Sequence, residues 1–441
     1  MMTTYDQAIE EAFPRILKDL GELIAIPSHR DLSTKTPGAP FGRGIAQAMS
    51  RLKAQAEALG FTVHEEEGYA LDIRTGEGED YIGILAHIDT VEALEGEAWL
   101  SDPYVLTERE GILYGRGVND DKGPLVACLH ALKILRDTGK AGALPLRLIV
   151  GGAEETTWEC MDRYFSRHPQ PRWAFSPDGD FPVVNGEKGI LQVRVRVSGE
   201  PVPGEVTLQS PPAQGYLLEE LRLLHHGESV EFRGKRALSR HPERGETPLP
   251  QLFHWLKKER PDLLQGEGAF PSLLGLLESL FLLSGNDPLS LLREDPAMGS
   301  SSIALTAMGY AQGLGYVDLD LRYTRIHTAE SLLAALKEVA GAFGGEVDVV
   351  KHRKLLYVEA DSPLIRSLKG AYEAVTKEPV VPLTKGGASY ARVLLRGVAF
   401  GPTFPGEIPH SHFANEQLPV ASLKKALAIW LLALEELTWG E

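Results

Sequence analysis

Hydrophobic positions fall in two rhythms along the chain. Short continuous apolar runs come first, at 81–86 (YIGILA), 146–150 (LRLIV) and 173–175 (WAF). Runs of this kind predict strands covered on both faces. Between the first two, GPLVACLHALKILRDTG places Leu125, Val126, Leu129, Leu132 and Leu135 at helical spacing. Buried strands separated by helices predict an α/β layer with a mostly parallel sheet.

The rhythm changes near 188. ILQVRVRVSG sets Leu191, Val193, Val195 and Val197 on one face and Gln192, Arg194 and Arg196 on the other, and YVDLDLRY turns Val317, Leu319, Leu321 and Tyr323 inward. Period-two alternation marks the half-exposed strands of an antiparallel sheet. Helices are expected at 248–258, 271–283 and 328–343, the last with Thr328 as its N-cap. The first rhythm returns after about 360 and ends in a helix at 421–437. The expected class is α/β. A mostly parallel-sheet domain in two segments, 1–187 and 359–441, is interrupted by an inserted α+β domain, 188–358, with an antiparallel sheet.

Charge removes one class of partner. Lys and Arg number 45 against 61 Asp and Glu, a net charge of −16 over 441 residues, so no nucleic acid partner is expected. Cys128 and Cys160 are too few for a disulfide scaffold or a Cys-rich metal site and suit a reducing, cytoplasmic setting. The N-terminal stretch has acids where a signal peptide needs a basic region. The most apolar stretch, 272–285, contains Glu278 and is shorter than the roughly 18 apolar residues of a span. No membrane partner is expected.

The chemistry sits where the apolar runs stop. YIGILA leads into His87-Ile88-Asp89, LRLIVGGA into Glu154-Glu155, and WAFSP into Asp178. Open α/β sheets gather ligands outside the carboxyl ends of their strands, so these groups are expected to converge. In YGRGVNDDKG (114–123), Gly115, Gly117 and Gly123 allow backbone shapes that bring Asp120 close to another group. PHSHFANE (409–416) supplies a second histidine. No G-x-S-x-G elbow suggests a serine nucleophile.

Taken in order, His-x-Asp, G-R-G-x-x-D-x-K-G, Glu-Glu, Asp and a distal His four residues before a Glu resemble the co-catalytic zinc exopeptidase family. That family includes carboxypeptidase G, aminoacylase, carnosinase and succinyl-diaminopimelate desuccinylase. Steps of 33, 35 and 23 residues separate His87, Asp120, Glu155 and Asp178, and these agree with the family. IPS at 26–28, GGASYAR at 386–392, VAFGPTFPG at 398–406 and HFANE at 412–416 are similar to its bacterial dipeptidase V (PepV) branch. The resemblance covers the two outer segments well and the insert loosely.

The resemblance implies a site for two Zn²⁺, with Mn²⁺ or Co²⁺ as alternatives. His87 and Asp178 would bind one ion, Glu155 and His412 the other, and Asp120 both; these residue types are ordinary zinc ligands. His412 is preferred to His410 because it precedes Glu416 by four residues. Asp89 would hydrogen-bond the second nitrogen of the His87 ring and fix its tautomer. Glu154 would be the general base, moving a proton from a metal-bridged water to the leaving amine. The Asp120–Asp121 peptide bond would be cis. Arg322 would grip a substrate carboxylate with two hydrogen bonds, and Gly386 and Gly387 would let substrate backbone approach. The partner implied is a small peptide or acyl-amino acid, bound by a monomer, with a dimer as the alternative.

Two departures qualify the pattern. The family lid carries a His in a stretch like A-H-x-x-x-P-E-x-G, where it stabilises an oxyanion; here Leu238 takes its place, and His241 or Arg240 just beyond is expected to replace it in part, reaching toward substrate and metals. The 205–217 stretch lacks the N-x-x-P of the dipeptidase branch. Three readings follow: a dipeptidase, an N-acyl-amino-acid amidohydrolase or desuccinylase, and a metal-binding homologue that holds peptide or amino acid with little catalysis.

Overall fold

The computed structural model describes residues 4–94, 98–211, 215–283 and 287–439, so 212–214 of the stretch lacking N-x-x-P lie outside them. The described residues form two compact units. One comprises residues up to 185, 357–383 and those from 388 onward; the other comprises 186–356 with 384–387. The short return at 384–387 thus groups with the inserted domain, although it lies beyond 358.

The first unit is built on the predicted buried strands. Leu146–Gly151, Ile82–His87, Trp173–Ser176 and Gly397–Ala399 lie side by side in that order, all parallel. Ala70–Arg74 and Thr62–Glu66 extend the sheet antiparallel beyond Leu146–Gly151. Every residue of Ile82–His87 and Leu146–Gly151 is buried, which is why both lack polar alternation. Helices Asp6–Ile24, Lys122–Thr138 and Val420–Thr438 pack against one another in the same core. Lys122–Thr138 ends at Gly139 with φ 64, a left-handed closure that favours glycine. At its start, a Cβ on Gly123 would lie 2.0 Å from the Val118 carbonyl oxygen. Among the described residues, no helix is long and apolar enough to cross a membrane.

The second unit is a seven-stranded antiparallel sheet. Its order is Glu228–Arg233, Glu220–His225, Val206–Gln209, Ser302–Ala311, Leu314–Tyr323, Gly189–Ser198, Gly345–Arg353. Val193, Val195, Val317, Leu319 and Leu321 pack into one core with helices Leu249–Glu259, Ala269–Phe281 and Ala329–Gly341. Thr328 caps the last helix, accepting from the Ser331 amide at 3.1 Å, while Ser331 Oγ accepts from the Thr328 amide. The alternation is imperfect at one end: Asp320 and Arg322, on the polar face, are buried.

Leu148 has no exposed surface and sits between strands on both sides, opposite Ile84 and Ile73. Leu148→Ala is expected to cost about 2–5 kcal/mol through lost transfer energy and a cavity. Urea unfolding checks this, and a loss below about 1 kcal/mol would contradict it.

Candidate metal-binding and catalytic site

Three parallel strands deliver the first group of side chains. His87 is the last residue of Ile82–His87 and pairs with Gly151, the last of Leu146–Gly151. Glu154 and Glu155 come three and four residues after Gly151, and Asp178 two residues after Ser176 of the neighbouring strand. All therefore reach the carboxyl edge of the sheet, where open α/β folds place ligands. Asp120 comes from the loop before helix Lys122–Thr138, and His412 from the loop before Gln417–Pro419.

The structure brings these six side chains together in two groups. His87, Glu154 and Asp178 each offer a donor atom within 4.8 Å of the others, and so do Asp120, Glu155 and His412. Asp120 stands between them. Its Oδ1 is 3.0 Å from His87 Nε2 and its Oδ2 is 3.1 Å from His412 Nε2. Glu155 Oε2 lies 3.0 Å from His412 Nε2, and Asp178 Oδ2 lies 3.7 Å from His87 Nε2. His87 Nε2 is buried and has no hydrogen bond of acceptable geometry. An orphaned imidazole nitrogen aimed into a cluster of carboxylates is a donor set fitted to a cation.

The surrounding contacts fix the loops that carry the ligands. His87 Nδ1 lies 2.9 Å from the carbonyl oxygen of Asp89, an N–H···O contact that leaves Nε2 free for a metal. The Asp89 carboxylate is 3.6 Å from Nδ1 and instead accepts the amides of Glu154 and Glu155, both at 3.1 Å. The ring bond expected of that carboxylate thus belongs to the Asp89 backbone, because the turn after the strand folds the carbonyl back first. Ser28 of the IPS stretch donates its hydroxyl to the Ile88 carbonyl at 2.8 Å. The Asp120–Asp121 bond is cis. Asp121 is buried and accepts the His87 amide at 3.1 Å. His410 is not among the six.

Glu416 does more than mark a spacing. Its buried carboxylate accepts from Arg116 Nη1 at 3.0 Å and from the amides of Gly117, Asn119 and Asp120 at 2.9, 2.9 and 3.0 Å. One side chain from the His412 loop therefore shapes the loop that presents Asp120. Lys122, also buried, donates to the carbonyls of Leu23 and Ile26, each at 2.9 Å. Sequence reasoning assigns no role to Asp121 or Lys122. Their signal is their place in the GRGVNDDKG run (115–123), of which Lys122 is a motif position.

Charge in this cluster is unbalanced. Burial and the neighbouring carboxylates hold Glu154 well above the usual range, and burial with Asp120 pushes Glu155 up to about 7. Burial would raise Asp120 too, but the His412 and His87 rings hold it low. Asp120 and Glu155 push His412 up to about 11. Four carboxylates against two imidazoles must either keep protons or gain a cation.

The remaining expected contacts lie in the second unit. Arg322 Nε and Nη2 donate to Asp320 at 2.8 and 2.7 Å, and Nη1 donates to the Gly386 carbonyl at 2.6 Å. Gly386 and Gly387 adjoin Arg240: a Cβ on Gly386 would lie 3.2 Å from Arg240 Cβ, and one on Gly387 would lie 3.8 Å from Arg240 Nη1. His241 Nδ1 is 3.3 Å from Glu243 Oε1. Leu238 pairs its backbone with Tyr216 in an antiparallel bridge.

A family model described as peptidase family M20/M25/M40 matches residues 83–436. YtjP of Bacillus subtilis (strain 168), which carries a provisional dipeptidase name, is 31% identical over 454 residues, covering 96% of this chain and 97% of its own. Beta-Ala-Xaa dipeptidase of Lactobacillus delbrueckii subsp. lactis is 28% identical over 476 residues, spanning 100% of each chain. The crystal structure of aminoacylhistidine dipeptidase from Vibrio alginolyticus has the same fold, with a TM-score of 0.63 over 96% of both chains at 13% identity.

The imbalance has a measurable consequence in the metal-free protein. Glu155 titrates near 4.5 unfolded and near 7 folded, so the folded state binds the proton more tightly and its stabilisation is lost as pH rises across that window. The wild type is expected to lose stability relative to Glu155→Gln between those values in chelator-treated samples. A difference in melting temperature that stays flat with pH would contradict the assignment.

Proposed function

The chain belongs to peptidase family M20/M25/M40, and from that premise we propose that it is a dipeptidase holding two divalent cations, zinc foremost with Mn²⁺ or Co²⁺ as alternatives. The observation that carries this reading is the position of Asp120, with one carboxylate oxygen within 3.0 Å of His87 Nε2 and the other within 3.1 Å of His412 Nε2. His87 and Asp178 would hold one ion, Glu155 and His412 the other, and Asp120 both. The dipeptidase names of the Bacillus and Lactobacillus relatives support a small peptide as substrate.

Such ions, when bound, lower the pKa of a coordinated water and polarise a carbonyl group. The chain supplies the proton transfer. Glu154 takes a proton from the attacking water and delivers it to the nitrogen of the departing amine, as general base and then general acid. Its backbone is held on both sides, since Asp89 accepts its amide and Trp158 Nε1 donates to its carbonyl at 2.7 Å. Arg322 with Gly386 and Gly387 would orient the substrate, Arg322 holding the carbonyl of Gly386.

A second reading, binding without cleavage, is favoured by Leu238 at the position of the family's lid His. His241 Nδ1 lies 3.3 Å from Glu243 Oε1, and His241 or Arg240 would be the groups to replace that donor in part. Removing an oxyanion donor costs about 10²–10³ in turnover. Leu238→His should therefore raise turnover in a slow enzyme and leave a pure binding protein inert.

The test is a hydrolysis screen of dipeptides, N-acyl-amino acids and succinyl-diaminopimelate with Zn²⁺, Mn²⁺ or Co²⁺ supplied. Dipeptides are expected to be cleaved fastest. Preferential cleavage of the acylated substrates would transfer the reading to an amidohydrolase. Glu154→Gln is expected to keep its metal content and lose about 10²–10⁴ in turnover, whereas near-normal activity would remove Glu154 from the role of base.

A further inference from the structure

The segment 23–30, LIAIPSHR, meets three of the loops that carry the inner side chains, all within the first unit. It begins at the end of helix Asp6–Ile24, where the last carbonyls have no partner inside the helix. Lys122 Nζ donates to the Leu23 and Ile26 carbonyls, each at 2.9 Å, and a cation is favoured at a helix C-terminus. Those bonds tie the segment to the loop of Asp120, two residues before Lys122. Ser28 is buried; its hydroxyl donates to the Ile88 carbonyl at 2.8 Å and its carbonyl accepts the Thr90 amide at 3.1 Å. These hold the loop of His87 and Asp89. Arg30 reaches the third loop. Its Nη1 donates to the Thr156 and Thr157 hydroxyls, both at 3.0 Å, and its Nη2 donates to Glu159 at 2.8 Å. The segment has little room to give: a Cβ on Gly44, in helix Arg43–Ala58, would lie 2.1 Å from the Pro27 carbonyl oxygen.

We propose that segment 23–30 is a brace that keeps the Asp120, His87 and Glu154–Glu155 loops at fixed spacing, with Arg30 and Lys122 as its positioning residues. The inference rests on the two-cation dipeptidase reading, in which those loops supply metal ligands and the base. Strand register brings His87 to the sheet edge, but Glu154 and Glu155 stand on backbone that has already left it. Asp89 pins the amides of Glu154 and Glu155 on one side of that loop. Arg30 fixes the other side through Thr156 and Thr157, which come next in the chain. A guanidinium suits this task because its planar fork serves several acceptors at once. It also restrains the loop without bonding either glutamate, so both carboxylates stay available to ions and water. Lys122 differs in reach. It acts on the loop of Asp120, which would serve both ions, whereas Arg30 acts on the loop of Glu155, which would serve one.

The test is calorimetric titration of the chelated full chain with zinc, alongside dipeptide kinetics. Arg30→Gln is expected to weaken one of the two zinc-binding steps about tenfold and leave the other unchanged, with kcat falling about tenfold at unchanged KM. The Arg30 side chain is 20% exposed, so the melting temperature of the metal-free variant should match the wild type. Arg30→Lys should recover part of the loss. Lys122→Met should weaken both steps. Unaltered zinc binding in either variant would overturn the proposal, as would equal weakening of both steps in Arg30→Gln with a lowered melting temperature, the mark of general destabilisation. If Lys122→Met does not fold, the Arg30 variants decide. If the wild type binds no second ion or cleaves no dipeptide, the functional reading falls, and amide deuterium exchange of the metal-free chain decides the brace by itself. Arg30→Gln should then speed exchange at 154–158 about tenfold and leave 146–151 unchanged. Unchanged exchange at 154–158, or equal acceleration of both stretches, would overturn it.

Discussion

The carboxylate of Asp120 cannot sit between two imidazoles and beside Glu154, Glu155 and Asp178 unless something holds it there. Left to itself the cluster would relax, since like charges at this separation repel and buried carboxylates prefer to keep protons. The fold answers with buried polar groups outside the cluster. Glu416 gathers four donors from the Asp120 loop, Asp89 pins the amides of Glu154 and Glu155, and Asp121 takes the His87 amide. Removing any of these acceptors would strand buried amides, at about 1–3 kcal/mol each. The supporting carboxylates therefore set the geometry that the six inner side chains share.

The division of labour between strands and loops follows from this. Parallel strands buried on both faces are stiff and bring His87, Glu154–Glu155 and Asp178 to one edge by register alone. Asp120 and His412 arrive on loops, and the His412 loop carries strain. His410, His412 and Asn415 have φ of 55, 67 and 62, in the left-handed region that costs a side-chain-bearing residue roughly 1–2 kcal/mol. Asn tolerates this conformation better than His does. The strained turn and the Glu416 anchor belong to the same short stretch, so the cost of presenting His412 is met by the bonds that order the Asp120 loop.

Much of this is legible in the sequence because its signal is local. Uninterrupted apolar runs announce the parallel strands, and alternation announces Gly189–Ser198 and Leu314–Tyr323, because burial on two faces and on one leave different periods. Residues directly after a buried strand can be assigned to one edge without knowing the strand order. What escapes is non-local. Glu416 binds Arg116, 300 positions away, and nothing near it in the chain reports that. The His-x-Asp spacing points the Asp89 carboxylate at the His87 ring, but the Asp89 backbone carbonyl is nearer, leaving the carboxylate for the Glu154 loop. The buried pairing of Arg322 with Asp320 is hidden too, because alternation labels both as outward.

The central claim is that Asp120 serves two cations at once. Metal analysis of the purified chain after zinc saturation and exhaustive dialysis tests it most directly. Two ions per chain are expected in the wild type, with loss of both from an Asp120→Ala variant that is still folded by circular dichroism. A full complement of two ions in Asp120→Ala, or a single ion in the saturated wild type, would contradict it.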